Sequence, residues 1–464
     1  MRTRTEKDSM GEMEVPADAL YGAQTRRAML NFPVSGWRLP ATLISALGQL
    51  KRLAARANCD LGKLAAGVAT WIEIAAGEVE DGKLSDHFPL DVFQTGSATS
   101  SNMNANEVIA RRAAQLSGDE AKIHPNDHVN CGQSSNDIMP TALQVAAVKM
   151  LHRDLLPAAA VLTQTLTAKA TLFAKFIKIG RTHLQDATPV TMGQVFGGYA
   201  AQVGEAANRL RQAAENLSSL PLGGTAVGTG VNTHPDFARR VIAALNNETG
   251  GNFREAANHF AAQAALPNVV SAMGEIKNFA LVLHKIANDI RLLASGPRCG
   301  YGELQLPAIQ PGSSIMPGKV NPVICESVMQ TAAWVVGAEC AVTFATATLS
   351  NFELCVAVPV VGYQMLESLR LLTNVVRVFD SQALDGLGCR VENCAATVEK
   401  SLAMCTGLAP LIGYDAAAEI AKTAFATGRA VREVAREKTA LSPDALAAAL
   451  DPKTMLAPSV ELQV

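Results

Sequence analysis

The segment PGSSIMPGKVNPVICE, residues 311–326, places two serines, a lysine, an asparagine and a glutamate among three prolines and two glycines. A lysine after a glycine suggests a phosphate-binding loop, but that loop needs four residues between its glycines and Ser or Thr after the lysine. Here five residues separate Gly312 from Gly318, and Val320 follows Lys319. The spacing therefore excludes a phosphate-binding loop.

The cation and the amide of this segment suggest a different chemistry. If Lys319 faces a substrate carboxylate and Asn321 adds hydrogen bonds, the two residues would stabilise negative charge that develops on the substrate. A serine beside such a cationic pocket would lose its proton more easily than a free hydroxyl, and could serve as a base. Serine is a poor base in water, so the segment alone does not define the reaction.

Two further clusters are rich in short hydroxyls and amides. Residues 95–107, TGSATSSNMNANE, could bind a small polyanion, or could form a turn followed by a capped helix. Residues 124–137, HPNDHVNCGQSSND, end at the start of a predicted helix, and a helix N-terminus attracts carboxylates. The candidate ligands of an anion are Ser97, Thr99, Ser134, Ser135 and Asn136.

A fourth cluster contains one histidine. Residues 180–189, GRTHLQDATP, place His183 between Thr182 and Gln185 in a polar loop ahead of another predicted helix. A structural and a catalytic role are both open for it. Residues 221–233 are glycine-rich but fit neither the dinucleotide nor the phosphate fingerprint, so we expect a tight connection between helices.

Metal sites are not expected. The side chains of HPNDH are conceivable ligands, but Pro125 keeps them off a regular helix. The nine cysteines contain no C-x-x-C, and their closest pair, Cys389 and Cys394, has no nearby companion for zinc or an iron–sulfur cluster. We expect small buried side chains at Cys131, Cys325, Cys340 and Cys355.

The elements that carry these clusters should be helices. Hydrophobic residues make up 48% of the chain, charged residues 18% and aromatic residues 5%, so the apolar mass is aliphatic and alanine-rich, which predicts an all-α protein. One heptad seam, with alternating spacings of four and three, predicts a straight helix packed against neighbours. The seam comprises Val269, Met273, Ile276, Ala280, Leu283, Ala287 and Ile290.

Five long helices predict a central bundle. Besides the seam, they are a helix from Asp137 to beyond Leu166 and helices over 190–219, 323–350 and 357–382. One layer of five helices cannot hide several apolar faces from water, so we infer that bundles from several subunits associate.

A chain of 464 residues ordinarily divides into domains. We predict an N-terminal domain of short segments over 1–136, the bundle over 137–388 and a small C-terminal helical domain over 389–464. The last has breaks at Pro410, Gly413, Gly428 and Pro443.

The net charge limits which partners we expect, and the first residues of the chain bear on its cellular compartment. The net charge of -2, without long runs of either sign, argues against nucleic acid or an anionic membrane as a partner. The first residues mix both signs without an apolar core, so we expect no signal or transit peptide and a cytoplasmic location. The stretch AAWVVGAECAVTFATATL carries Gly337 and Glu339, which favours a buried helix over a membrane span.

Together the four clusters resemble the signature segments of the fumarase/aspartase superfamily, and most nearly those of the class II fumarases. GSSIMPGKVNP is similar to the superfamily's signature loop. The other similar segments are DSMGEMEVPADALYGAQTRRA, HPNDHVN, QSSND, GRTHLQDATPVTMGQ, GGTAVGTGVNTH, NFEL and LIGYDAAAEIAK. Aspartate ammonia-lyases more often carry Ala at Gly318 and Thr at Ser135, so both positions favour a hydratase.

The resemblance implies reversible hydration of fumarate to L-malate without a cofactor. It also implies a three-domain subunit, a homotetramer formed by the central helices, and active sites shared by three subunits. In such a site, Ser313 removes a proton from C3 of malate. Lys319 and Asn321 hold the carboxylate on which the negative charge accumulates.

By the same resemblance, His183 lies beside Thr182, pairs with Glu326 and handles the departing or arriving water. A glutamate partner would favour the imidazolium form. The residues that bind the other substrate oxygens are Ser97, Thr99, Ser134, Ser135 and Asn136. A second, non-catalytic dicarboxylate site matches His124, Asn126 and Asp127.

The chain departs from the family pattern at several positions. Ala98 and Ser100 stand where Gly and Gln are usual, which could alter the pocket beside Thr99 and admit a substituted fumarate. Ala121 replaces a common arginine, which bears on the second site. Less usual residues also stand at Cys131, Gly132 and Cys355. The alternatives are a lyase that releases ammonia from aspartate and a non-catalytic relative, although the six proposed catalytic residues are all present.

Overall fold

The computed structural model describes residues 2–118 and 122–458, and it confirms the all-α prediction. Ala121 lies outside these residues. The described residues form seventeen α-helices: α1 (Ala23–Asn31), α2 (Ala41–Asp60), α3 (Ala66–Glu80), α4 (Thr99–Leu116), α5 (Ser135–Met150), α6 (Leu156–Leu172), α7 (Met192–Leu217), α8 (Phe237–Thr249), α9 (His259–Ala264), α10 (Pro267–Leu293), α11 (Val323–Thr348), α12 (Val358–Val378), α13 (Val391–Lys400), α14 (Ala409–Ile412), α15 (Tyr414–Thr427), α16 (Val431–Lys438) and α17 (Pro443–Ala449).

Short strands pair as two-stranded sheets between these helices. In the described residues they are β1 (Thr3–Asp8), β2 (Gly11–Pro16), β3 (Ile177–Thr182), β4 (Gln185–Thr191), β5 (Ser219–Leu220), β6 (Arg254–Glu255), β7 (Leu304–Gln305), β8 (Ser350–Asn351), β9 (Leu354–Cys355) and β10 (Gly388–Cys389). The pairs β1–β2, β3–β4, β7–β10 and β8–β9 are antiparallel, and β5–β6 is parallel.

The chain forms two compact units, each made of three segments. The first unit comprises Met1–Pro157, Ala206–Leu281 and Thr331–Asn374. The second unit comprises Ala158–Glu205, Val282–Gln330 and Val375–Val464. The division into three domains at 136 and 388 stays a prediction.

The N-terminal region is built from longer helices than predicted. Helices α2, α3 and α4 have 20, 15 and 18 residues and pack in sequence in the first unit. Helix α2 buries Leu43, Leu47, Leu50 and Ala54, a helical spacing of four and three. The prediction of short segments was wrong because the same face also buries the polar Lys51, which breaks the apolar pattern.

The heptad seam predicted the most regular helix. Every seam residue of α10, from Val269 to Ile290, is at most 1% exposed. The predicted bounds of α7 and α11 differ from the observed ones by no more than two residues at either end. The apolar stripe that each of these helices buries therefore determines where the helix runs in the sequence.

Helix α5 begins at Ser135, two residues before the predicted start. Ser134 is its N-cap, and its Oγ accepts the N–H of Asn136 at 3.2 Å. The Asp137 carboxylate accepts the N–H of Ser134 at 2.9 Å, which completes a capping box. Asp137 thus caps the helix from its third position rather than from the N-cap.

Two predicted helices contain or end in π-helical turns. The helix expected to run beyond Leu166 is divided by the turn Leu151–Leu155. Pro157 has no N–H for the carbonyl one turn earlier, which favours such a local widening. Helix α12 ends at Val378, before the turn Phe379–Leu384, rather than at 382.

Helix α11 has two apolar faces. One face is buried, whereas Trp334, Val336 and Phe344 are 42%, 38% and 70% exposed. Among the described residues it is the one helix long and apolar enough to cross a membrane. In its most apolar stretch of 18 residues, 33% of the residues are buried. The sequence predicted a buried helix here, and in the single chain only one face of α11 is buried.

All nine cysteines are free thiols. Cys325 and Cys355 are buried as predicted, and Cys131 is half-buried. The prediction was wrong for Cys340, which is exposed because it lies on the uncovered face of α11.

Candidate active site

The loop before α11 is closed by its own backbone. The N–H of Gly312 donates to the Lys319 carbonyl at 2.8 Å, and Asn321 Nδ2 donates to the Gly312 carbonyl at 2.6 Å. A Cβ at Gly312 would lie 2.7 Å from that Lys319 oxygen, so the close approach requires glycine. The loop therefore fixes Lys319 and Asn321 just ahead of the helix.

The hydroxyl of Ser313 receives two hydrogen bonds from this loop. Its Oγ accepts the N–H of Ile315 at 3.1 Å and the N–H of Met316 at 2.9 Å. Donors directed at an oxygen stabilise its anionic form more than its neutral form. The loop thus holds a half-buried serine whose alkoxide would meet two fixed donors.

Three predicted site residues share a cavity of about 530 Å³ in the second unit. It is lined by Lys319, Asn321 and Glu326, together with Arg291 and Arg390. A lysine and two arginines around one cavity attract carboxylates. The sequence analysis missed both arginines because neither belongs to a polar cluster.

His183 lies at the tip of the β3–β4 hairpin and not in an irregular loop ahead of a helix. Thr182 pairs with Gln185, and the two residues between them, His183 and Leu184, have φ of 56° and 62°. A two-residue turn with two positive φ values normally carries Asn or Gly. The exposed His183 is therefore held in a strained backbone conformation of the kind found at functional sites.

A buried ion-pair cluster anchors this hairpin. Arg181 donates to the carboxylate of Glu303 at 2.6 and 3.1 Å, and Lys178 Nζ lies 3.5 Å from it. Glu303 is fully buried, and the Arg181 guanidinium lies 4.3 Å from the ring centroid of Tyr301. Burial lowers the pKa of Lys178, while Glu303 acts in the opposite direction. The strand that ends at Thr182 is thus tied to the segment just before β7 within the second unit.

A single chain does not bring every predicted residue of the second unit together. Thr182 and Arg181 line a separate cavity of about 490 Å³. Among the described residues of one chain, no hydrogen bond or ion pair joins His183 to Glu326. The pairing implied by the resemblance stays a prediction.

The first unit contains the other polar clusters. At the start of α4, the hydroxyl oxygens of Ser97 and Thr99 lie 2.7 Å apart. Between them Ala98 is buried with φ of 58°, a conformation that glycine, usual here in the family that the chain resembles, adopts without cost. A Cβ on Gly96 would lie 2.0 Å from the carbonyl oxygen of Val356.

Asp137 fixes the start of α5, where Ser134, Ser135 and Asn136 lie. Its Oδ2 accepts the N–H groups of Gly223 and Thr225, each at 3.0 Å. Burial raises the pKa of this carboxyl, while the backbone donors act to lower it. The glycine-rich residues 221–233 therefore form the predicted tight connection, and two of their N–H groups also anchor the start of α5.

Ser135 ends a buried polar network that the sequence analysis missed. Its Oγ accepts a hydrogen bond from Asn102 at 3.0 Å, and Asn102 also donates to Asn130 at 3.1 Å. Lys51 Nζ donates to Asn130 and Gln133, each at 2.9 Å. Lys51 is fully buried, and burial lowers its pKa to about 7. The sequence feature that could have revealed this network is Lys51, a charged residue on the apolar face of α2.

The proposed second site is a π-helical turn, Pro125–Val129. His124 Nδ1 accepts the N–H of Asp127 at 3.1 Å, and both side chains are exposed, as is Asn126. This segment therefore lies off a regular α-helix, as predicted. Within residues 2–118 and 122–458, no group of three or more His, Cys, Asp or Glu side chains is arranged to hold a metal ion.

Known proteins match this chain along most of its length. A family model described as lyase matches residues 11–337, and one described as fumarase C C-terminus matches residues 404–457. A class II fumarate hydratase from Xylella fastidiosa is 47% identical over 454 residues, which cover 98% of this chain and 95% of that protein. One from Halobacterium salinarum is 51% identical over 455 residues, with 97% of each chain covered.

Solved structures agree. A class II fumarase from Schistosoma mansoni has a TM-score of 0.94 and 36% identity, covering 98% of this chain and 99% of that one. A fumarate lyase:delta crystallin from Brucella melitensis, bound to cobalt, has a TM-score of 0.93 and 43% identity, covering 98% and 100%. These likenesses confirm the predicted family. The chain therefore belongs to the lyase family and, within it, to the class II fumarate hydratases, which are hydro-lyases.

Proposed function

We propose that the protein catalyses the reversible anti addition of water to fumarate, which gives L-malate. The observation that carries the proposal is the Ser313 hydroxyl, which accepts two backbone N–H groups in the same loop as Lys319 and Asn321. A base, a cation and an amide in one rigid loop suit the removal of a proton next to a carboxylate.

In the malate-to-fumarate direction, the Ser313 alkoxide takes the proton from C3. The electron pair moves onto the neighbouring carboxylate, which Lys319 and Asn321 hold. The C–O bond at C2 then breaks, and His183 donates a proton to the departing hydroxide. Thr182 orients the histidine from the preceding strand position.

The residues of the first unit would hold the remaining oxygens of the substrate. Their hydroxyls and amides lie at the starts of two helices, α4 and α5, where exposed N–H groups favour carboxylates. These residues are Ser97, Thr99, Ser134, Ser135 and Asn136. The exposed turn with His124, Asn126 and Asp127 would bind a second dicarboxylate outside the reaction site.

We further propose a cytoplasmic homotetramer in which subunits complete each other's sites. The uncovered apolar side chains of Trp334, Val336 and Phe344 support association, because contiguous exposed apolar surface is rare in monomers. Association would also supply the contact between His183 and Glu326 from different chains. Light scattering coupled to size-exclusion chromatography should give four times the mass of one chain. A monomer that hydrates fumarate would contradict this assembly.

The activity is tested by following ultraviolet absorbance of fumarate after adding L-malate or, separately, L-aspartate. We expect a rise from malate that Ser313→Ala abolishes and that Ser314→Ala, at the exposed neighbouring serine, preserves. A rise from aspartate alone would assign an ammonia-lyase. Binding of dicarboxylates without turnover of either would contradict the proposed activity.

A further inference from the structure

Two thiols of the second unit lie in contact. The Sγ atoms of Cys389 and Cys394 are 3.7 Å apart. Arg390 is the N-cap of α13, so Cys389 precedes the cap and Cys394 is the fourth residue of the helix. Side chains at these two positions pack together at many helix starts. The local backbone of the helix start therefore brings the sulfurs together.

The backbone around the pair is fixed on its other side. Cys389 pairs with Leu304 in the β7–β10 sheet, and the N–H of Arg390 donates to the Glu303 carbonyl at 2.8 Å. The thiol of Cys394 faces the same carbonyl oxygen at 3.9 Å. The backbone on both sides of the pair is therefore held in place by the sheet and by the first turn of α13.

The two thiols differ in access and in acidity. Cys389 is half-buried, whereas Cys394 is buried. The hydrogen bond with Cys394 lowers the pKa of Cys389, and that bond together with burial raises the pKa of Cys394. Since the thiolate is the reactive form, Cys389 is the sulfur that a small oxidant would meet first.

We propose that Cys389 and Cys394 form a redox modification site that a peroxide converts into an intrachain disulfide. The Cys389 thiolate attacks one oxygen of hydrogen peroxide, the O–O bond breaks, and hydroxide leaves to become water. Sulfur is oxidised to a sulfenic acid and peroxide is reduced. Cys394 then attacks this sulfur, the S–O bond breaks, and a second water leaves with the Cys394 proton. One peroxide and two thiols thus give one disulfide and two waters.

Closure needs little movement, because the sulfurs must approach from 3.7 Å to about 2 Å. The disulfide would hold the start of α13 against β10 and the adjacent β7. It would also stop Cys389 at a reversible stage, because a sulfenic acid without a partner thiol oxidises further to the irreversible sulfinic acid.

The chain makes the product easy to detect. Trypsin cleaves after Arg390, so the two cysteines fall on separate peptides, 378–390 and 391–400. The reduced full-length protein is treated with one equivalent of hydrogen peroxide, its remaining thiols are alkylated, and the digest is analysed by mass spectrometry. We expect these two peptides joined, with a loss of about 2 Da relative to their sum, and separated again by dithiothreitol.

Variants distinguish this site from general thiol oxidation. In Cys394→Ser treated with excess peroxide, two peroxides should oxidise Cys389 in turn to the sulfenic and the sulfinic acid, a gain of about 32 Da, and dimedone should trap the sulfenic acid. The double variant Cys299→Ser/Cys340→Ser removes two exposed thiols and should leave the joined peptides unchanged.

The folded protein supplies a test that does not depend on any variant. In the native state the joined peptides should form faster than in urea, because folding places the sulfurs in contact. Equal or slower formation in the native state would overturn the proposal. So would native oxidation that ends at sulfinic acid on Cys389 while Cys394 stays reduced.

Discussion

Lys51 Nζ lies 2.9 Å from Oδ1 of Asn130, in a network that continues through Asn102 to the hydroxyl of Ser135. A fully buried lysine amine is thus held by amide oxygens beside the helix start that we propose for substrate binding. Asp137 supplies the charge that partly compensates it. Lys51 therefore lies where a bound dianion would favour its protonated, positively charged form.

Replacing this charge should weaken substrate binding more than turnover. In Lys51→Met the apolar stem is kept while the charge and its hydrogen bonds are lost. We expect KM for L-malate to rise about tenfold, equivalent to ~1.4 kcal/mol, with a smaller change in kcat. The matched variant Lys149→Met removes a lysine that donates to Gln49 in the same unit, and should leave KM unchanged. An unaltered KM in Lys51→Met would contradict the assignment.

The same lysine predicts a pH dependence of stability. Burial lowers the pKa of Lys51 from 10.5 to about 7 in the folded protein. Between these values the unfolded chain binds a proton that the folded chain does not, so this residue makes the free energy of unfolding increase with pH. Below about pH 7 both states are protonated and its contribution is constant. Urea unfolding at about pH 7, 8 and 9 should show a steeper rise for the natural sequence than for Lys51→Met, and equal slopes would refute this.

Gly96→Ala should disrupt the polar segment ahead of α4. The new Cβ would lie 2.0 Å from the Val356 carbonyl oxygen, so one of the two backbones must shift. We expect a loss of about 1–3 kcal/mol in the free energy of unfolding, and weaker dicarboxylate binding because Ser97 and Thr99 move. Gly67→Ala, in a helix with nothing within 4 Å, should stabilise by about 0.5–1 kcal/mol. Unchanged stability of Gly96→Ala would show that this contact is loose.

Leu184→Gly should stabilise the protein. Leu184 has φ of 62° and is 68% exposed, so glycine relieves backbone strain with little loss of buried surface. We expect about 1 kcal/mol in unfolding measurements. The corresponding change at Leu281, 45% exposed in the interior of α10, places glycine inside a helix and should cost at least a similar amount. A destabilised Leu184→Gly would mean that the leucine side chain makes contacts that its exposure conceals.

The sequence predicted best where one signal dominates. The α10 seam is apolar without interruption, and the 311–322 loop combines proline, glycine and reactive residues within a dozen positions. The hairpin that carries His183 was missed because its strands lack alternation: β3 buries Lys178, Ile179 and Gly180 in succession. Lys51 was missed because its partners are distant in sequence, and spacing along one helix does not reveal them.

Construction of each unit from three distant segments has a consequence for biosynthesis. The first unit ends only at Asn374, so about four-fifths of the chain must leave the ribosome before that unit can close. Contacts between segments so far apart slow folding, since the intervening chain must first be ordered. The apolar surfaces that the last segment of the first unit covers therefore stay exposed until about four-fifths of the chain has been synthesised.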